Sequence, residues 1–187
     1  SCNILGKAPA SIVADMNEYE KKQGYYYVHF TMHDNPTMTP EKIEKQEAIN
    51  TYYVQKAIAL IRKIHTVSEV NDSWGNGEAT QVHHIFPKSQ FPQIAHYVEN
   101  LILLTATQHN TKAHPNNKTQ QVNKDYQLVC LLAKADSIEN SLLRYGEKYY
   151  RKESFVYVIN IGLTAEFSTG LSFNDIKTKL VQIYNIT

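Results

Sequence analysis

The sequence predicts an α+β fold, and three observations carry that expectation. Apolar residues recur at near-helical spacing over a long stretch ending at His65, and short aromatic or β-branched runs stand elsewhere between turn residues. From Thr80 onward the chain then reads strand, loop, strand, helix.

Taken in order, Gly24 introduces Tyr25 to Phe30, aromatic and β-branched enough for a strand, with His29 in it as a packed or surface residue. Thr39-Pro40-Glu41 combines a capping hydroxyl, a proline at the first helical position and an acid in the first turn. Ile43, Ile49, Tyr53, Ala57, Leu60, Ile61 and Ile64 then mark the buried side of a long amphipathic helix. Trp74-Gly75-Asn76-Gly77 breaks it with a turn, where Trp74 is expected to close the core rather than stack on a base.

A strand over Thr80 to Phe86 follows, then a proline-punctuated loop from Pro87 to Glu99, a second strand over Asn100 to Thr105 and a short helix from about Thr107. Beyond Pro115, Thr119 to Ala133 reads as a helix, and Asp136 with Glu139 makes a capping-box signature for another ending near Gly146. Ser154 to Glu166 reads as extended, and Ser172 with Asp175 starts a last helix through Leu180 and Ile183. These flanks read as architectural.

A chain of 187 residues with 42% hydrophobic and 20% charged residues can bury a sizeable core, and one compact unit is the default. Leu101 to Leu104 and Leu128 to Ala133, the longest apolar stretches, fall far short of a bilayer span, and the N-terminus lacks the apolar core of a signal peptide. A soluble protein without membrane partners is expected, and whether it is a fragment of a longer one stays open. Cys2 and Cys130 have no CxxC spacing, so neither a thiolate zinc cage nor a disulfide framework is implied, and a cytoplasmic location fits. A formal net charge of +1 is low for a protein that neutralises phosphates, so any basic surface must be local. Thr105 to Lys152 offers one: Lys112, Lys118, Lys124, Lys134, Arg144, Lys148, Arg151 and Lys152 face only Asp125, Asp136, Glu139 and Glu147, although a solvated helix face would show the same excess.

Of the eight histidines, His83, His84, His96, His109 and His114 all fall between Val82 and Pro115. Adjacent histidines on one strand point to opposite faces, so the pair alone says little. The ordered set says more: a His pair in the first strand, Asn100 at the start of the second, and His109 and His114 in the helix that follows.

QVHHIFPKS, ENLILLT and TQHNTKAHP, taken together, resemble the HNH (ββα-metal, His-Me finger) nuclease motif, in the form met in restriction endonucleases and related phage, toxin and mobile-element nucleases. The resemblance covers roughly Thr80 to Asn117. It implies a ββα-metal core over residues 79–118, embedded in a mainly helical domain with additional short strands. Residues 1–78 would supply an N-terminal strand and long helix for DNA recognition or dimerisation, and 119–187 would supply C-terminal helices and a strand packed on the core.

The resemblance also implies roles. His83 would be a metal ligand, His84 the general base, Asn100 the brace of the loop between the strands, and His109 the helix ligand. His114 is a candidate third ligand, but relatives with three histidine ligands often separate the last two by one turn, and in a regular helix five residues place side chains about 140° apart. Joint ligation would need the helix to end or bend, which Pro115 favours. Lys112, Lys88 with Ser89, and Lys118 are candidate contacts to the nucleic-acid backbone, with ordinary solvated side chains as the alternative. His96 matches no role in the motif and is taken as structural.

These residue types suit in-line hydrolysis of a phosphodiester, which needs a base of near-neutral pKa and a cation to stabilise charge on the phosphate and leaving oxygen. The cofactor implied is one divalent metal ion. Imidazole ligands favour zinc, nickel, cobalt or manganese, and availability favours magnesium. The expected function is a DNA endonuclease, restriction-type by preference, acting on double-stranded DNA and as a homodimer if its target is palindromic. The alternatives are a toxin or mobile-element nuclease of low sequence specificity and an inactive, metal-stabilised DNA-binding module.

Overall fold

A computed structural model describes residues 40–113 and 123–186 of the chain. The expected strand at Tyr25 to Phe30 and the capping Thr39 lie outside the described residues. The first element, α1 (Pro40–Ile64), begins at the proline anticipated for it and carries Arg62 and Lys63 in its last turn, where cations complement the helix dipole. Tyr53, Val54, Ala57, Leu60 and Ile61 are buried along it at the spacing of one helical face.

Two strands follow, β1 (Ala79–His84) and β2 (Leu101–Thr105), and they pair antiparallel. His84 stands opposite Leu101, His83 opposite Ile102 and Val82 opposite Leu103, with a register irregularity between Ala79 and Gln81. Every residue of β2 is buried, so the sheet is covered on both faces. At Leu103, β2 meets the segment after α1: Glu69 N–H donates to Leu103 O at 3.0 Å, and Leu103 N–H donates to Glu69 Oε1 at 2.9 Å. This contact satisfies backbone groups that an open sheet edge would leave exposed.

Directly after β2 the chain winds into a π-helix, Gln108–Ala113. The next described element is α2 (Lys124–Tyr145), capped by Asn123, whose side chain accepts from Tyr126 N–H, and ended at Gly146 with φ 59°. The single helix corrects the expectation of two: Asp136 lies inside α2, where the stretch Leu131 to Ala135 contains only residues that sustain a helix, and its carboxylate pairs with Lys177 Nζ at 2.6 Å instead of capping.

Ser154 to Glu166, expected to be extended, forms most of α3 (Lys152–Leu163), which is a second correction. An apolar run such as Phe155 to Ile159 is ambiguous between a buried strand and a buried helix, and helix packing decides here. Phe155, Val156, Val158 and Ile159 are buried, and Thr164 closes the helix in the left-handed region at φ 51°. Among the described residues the two strands form the only sheet, so additional strands are not found there. The last helix, α4 (Phe173–Ile186), starts as anticipated: Ser172 Oγ accepts from Asp175 N–H at 3.1 Å, and Asp175 Oδ2 accepts from Ser172 N–H at 3.3 Å.

One hydrophobic core runs through all of these elements, from Ala57 on α1 through β2 to Leu180 on α4. Within it lies a charged pair, Lys134 of α2 and Glu69, with Nζ and Oε2 2.6 Å apart and both side chains buried. Burial holds the Lys134 ammonium below the usual lysine pKa, against the attraction of Glu69. Cys130 is buried as a free thiol, and no described helix is long and apolar enough to cross a membrane.

Candidate metal and active site

Alternation along β1 sends His83 and His84 to opposite faces, and each meets a different neighbour. The His83 ring, 4% exposed, lies against His109 of the π-helix, with ring centroids 5.4 Å apart and planes inclined by 77°. Two imidazoles sharing one ion at about 2.0–2.1 Å per nitrogen have ring centres about 5 Å apart, so this pair has the right separation for joint ligation. His109 Nδ1 lies 3.0 Å from Asn110 Oδ1. With Nδ1–H as the donor to that oxygen, the ring keeps its lone pair on Nε2, one of the two nitrogens through which a histidine ligates a metal. Two neutral imidazoles fit, by donor type, an ion such as zinc, nickel, cobalt or manganese, and leave its other positions to further ligands. Among the described residues no three His, Cys, Asp or Glu side chains gather into a metal-binding group, and the third candidate, His114, lies outside them.

His84 Nε2 lies 3.0 Å from the carbonyl oxygen of Ala95, in the loop between the strands. In the neutral ring Nε2–H must be the donor and Nδ1 the basic nitrogen. Burial lowers the pKa of this imidazole; the Ala95 hydrogen bond opposes the shift, and the ammonium of Lys88 adds to it.

Asn100 is fully buried at the end of that loop. Its Oδ1 accepts from Phe86 N–H at 2.8 Å, and its Nδ2 donates to Phe86 O at 3.1 Å and to Ile94 O at 3.2 Å. One side chain thereby holds the loop at both of its ends. Gln127 of α2 adds a bond from Nε2 to Ile85 O at 2.7 Å.

Lys112 sits in the π-helix three residues beyond His109, with Nζ 4.6 Å above the Trp74 ring. Trp74 is 42% exposed, which corrects the expectation that it closes the core. The turn around it faces outward because Asp72 and Gln108 hold its backbone. Asp72 Oδ1 accepts from Trp74 N–H at 2.9 Å and from Gln108 Nε2 at 2.9 Å. His96 packs against Tyr97 and Tyr53, at ring separations of 4.8 and 6.5 Å. Lys118 lies outside the described residues.

No family model, curated protein or solved structure matches the chain. The arrangement of residues must therefore carry the functional reading. Sequence reasoning missed Asn110, Gln108 and the Ala95 carbonyl. Asn110 and Gln108 flank His109, and that adjacency was the available signal. A backbone carbonyl leaves none.

Proposed function

We propose that the chain is a metal-dependent DNA endonuclease that hydrolyses phosphodiester bonds, with His84 as general base and His83 and His109 as ligands to one divalent ion. The observation that supports this most strongly is the His83–His109 pair, which meets between β1 and the helix following β2 at a separation suited to joint ligation. The strand-loop-strand-helix order around it is the one that the HNH resemblance implies. A bound divalent ion supplies charge stabilisation on the phosphate and the leaving oxygen.

The protein's own residues do the rest. His84, kept neutral near pH 7 by its burial, takes a proton from the attacking water at Nδ1, while Ala95 holds its Nε2–H. Asn100 fixes the loop that carries Ala95. Lys88 of the loop and Lys112 of the π-helix are the cations offered to the phosphate backbone. His109 sits in a π-helical segment, and such segments recur at functional sites. His114 stays a candidate third ligand, as the HNH resemblance implies.

Incubation with supercoiled and linear plasmid in magnesium, manganese, zinc or nickel, with a chelator control and mapping of the ends, tests the proposal. It expects ion-dependent cleavage leaving 5′-phosphate and 3′-hydroxyl ends. Discrete fragments mark restriction-type cleavage and a smear marks low specificity. Metal binding without cleavage under any ion is the outcome of an inactive module and overturns the enzyme reading.

A further inference from the structure

The chain contains one tryptophan, and the fold holds it at the surface rather than in the core. Its turn is fastened to the residue just before His109. Gln108, fully buried, donates from Nε2 to Val70 O and to Asp72 Oδ1, both at 2.9 Å, and its Oε1 accepts from Ser68 Oγ at 2.6 Å and from Thr105 N–H at 3.0 Å. Asp72 Oδ2 accepts from Tyr126 OH at 3.0 Å, and Thr105 Oγ1 donates to Trp74 O at 3.0 Å. A Cβ on Gly75 would stand 3.3 Å from Gln108 Nε2, so the turn and the start of the π-helix are in close contact. The exposed indole is thus presented from a rigid mount, beside the segment that carries His109 and Lys112.

We propose that Trp74 and Lys112 together form a nucleotide-gripping edge of the candidate site, in which the indole packs on the sugar and base of a nucleotide beside the scissile phosphate. This rests on the nuclease reading. An ammonium over an exposed ring is held weakly, and a phosphate competes well for it. When DNA arrives, Lys112 leaves the ring for the phosphate and frees the indole face for the deoxyribose and, where a step is unstacked, for the base. Sugars and base faces are common to all nucleotides, so this edge adds affinity without sequence preference. The ligand is a DNA strand, and a rigidly held indole loses little entropy in taking it.

Because Trp74 is the only tryptophan, its fluorescence reports the contact directly. The full chain with His84→Ala, which leaves DNA uncut, is titrated with a dye-labelled duplex oligonucleotide while dye anisotropy and tryptophan emission are followed together. Saturable quenching of Trp74 along the same binding curve is expected. Trp74→Ala should weaken binding about ten-fold, Trp74→Phe should retain most of the affinity, and Lys112→Gln should weaken binding and reduce the salt dependence. Binding with unchanged emission, and a Trp74→Ala protein that binds like its parent, overturns this inference and leaves the nuclease reading standing. Quenching and weakened binding in a protein whose native sequence never cuts DNA supports the edge and overturns the nuclease. Absence of binding by anisotropy overturns both.

Discussion

Asn100 and His84 are linked through two consecutive carbonyls of one loop: Asn100 Nδ2 donates to Ile94 O at 3.2 Å, and the next carbonyl, that of Ala95, receives His84 Nε2–H at 3.0 Å. Asn100 never touches the imidazole, yet it fixes the group that orients it. Asn100→Ala should therefore act twice. Unpairing buried Phe86 N–H, Phe86 O and Ile94 O should cost about 2–4 kcal/mol in stability, and the cleavage rate should fall further than the unfolded fraction explains. Urea midpoints compared with single-turnover rates check this. A variant with reduced stability and an unchanged rate per folded molecule separates Asn100 from His84.

His84→Ala should lower cleavage by about a hundred- to ten-thousand-fold while DNA binding and folding stay near those of the native chain. Single-turnover rates and anisotropy titrations measure the two effects. A variant retaining more than about a tenth of the rate removes His84 from the role of base.

The acid limb of kcat/KM should fall below the ordinary histidine value. Burial disfavours the charged form, so the folded pKa of His84 lies under 6.5, and the base stays neutral and competent at pH 6.5. Activity should be lost only as the pH falls through that lower value. The unfolded chain binds its proton first, near 6.5, so stability also declines as the pH drops below 6.5. A pH-rate profile in one buffer series reads the midpoint, and an acid limb centred above 6.5 contradicts the burial of this ring.

The buried Lys134–Glu69 pair ties α2 to the backbone of β2, because Glu69 also accepts from Leu103 N–H. Lys134→Met leaves the buried Glu69 carboxylate with His65, 3.4 Å from Oε2, and the Leu103 N–H as its partners, and should cost about 3–5 kcal/mol. Adding Glu69→Gln should recover a large part of that loss, because the carboxylate nearest the removed ammonium is then replaced by a neutral amide. Denaturation of both variants checks the order of stability.

Gly162 of α3 packs directly on the Phe86 ring, and a Cβ there would overlap it. Gly162→Ala should cost about 1–3 kcal/mol and displace the residue whose backbone Asn100 holds. Phe86→Leu in the same chain should restore part of the stability. A Gly162→Ala protein as stable as the native one would show that the ring has room to move.

Much of this was legible in the sequence where local chemistry dictates local structure. Pro40 marked the start of α1, Ser172 with Asp175 marked α4, and the two strands of the central sheet fell within a residue or two of their observed ends. Asn100 was singled out with the loop it holds, and its bonds to Phe86 and Ile94 span that loop. What failed was decided by tertiary contacts. The Phe155 to Ile159 run fits either a strand or a helix until its neighbours are known, and Asp136 had a partner on α4 that made capping unnecessary. The outward Trp74 depends on Gln108, thirty-odd positions away along the chain, and the π-winding around His109 has no simple sequence signature. His114 and Lys118 lie outside the described residues.

Metal titration of His83→Ala and His109→Ala, with plasmid cleavage measured on the same samples, tests the proposed ion site on His83 and His109 most directly. Each substitution removes one imidazole from a pair whose rings stand 5.4 Å apart, so each should lower metal affinity sharply and abolish cleavage, while the fold persists by circular dichroism. Undiminished metal binding and cleavage in both variants would contradict the site and the nuclease built on it.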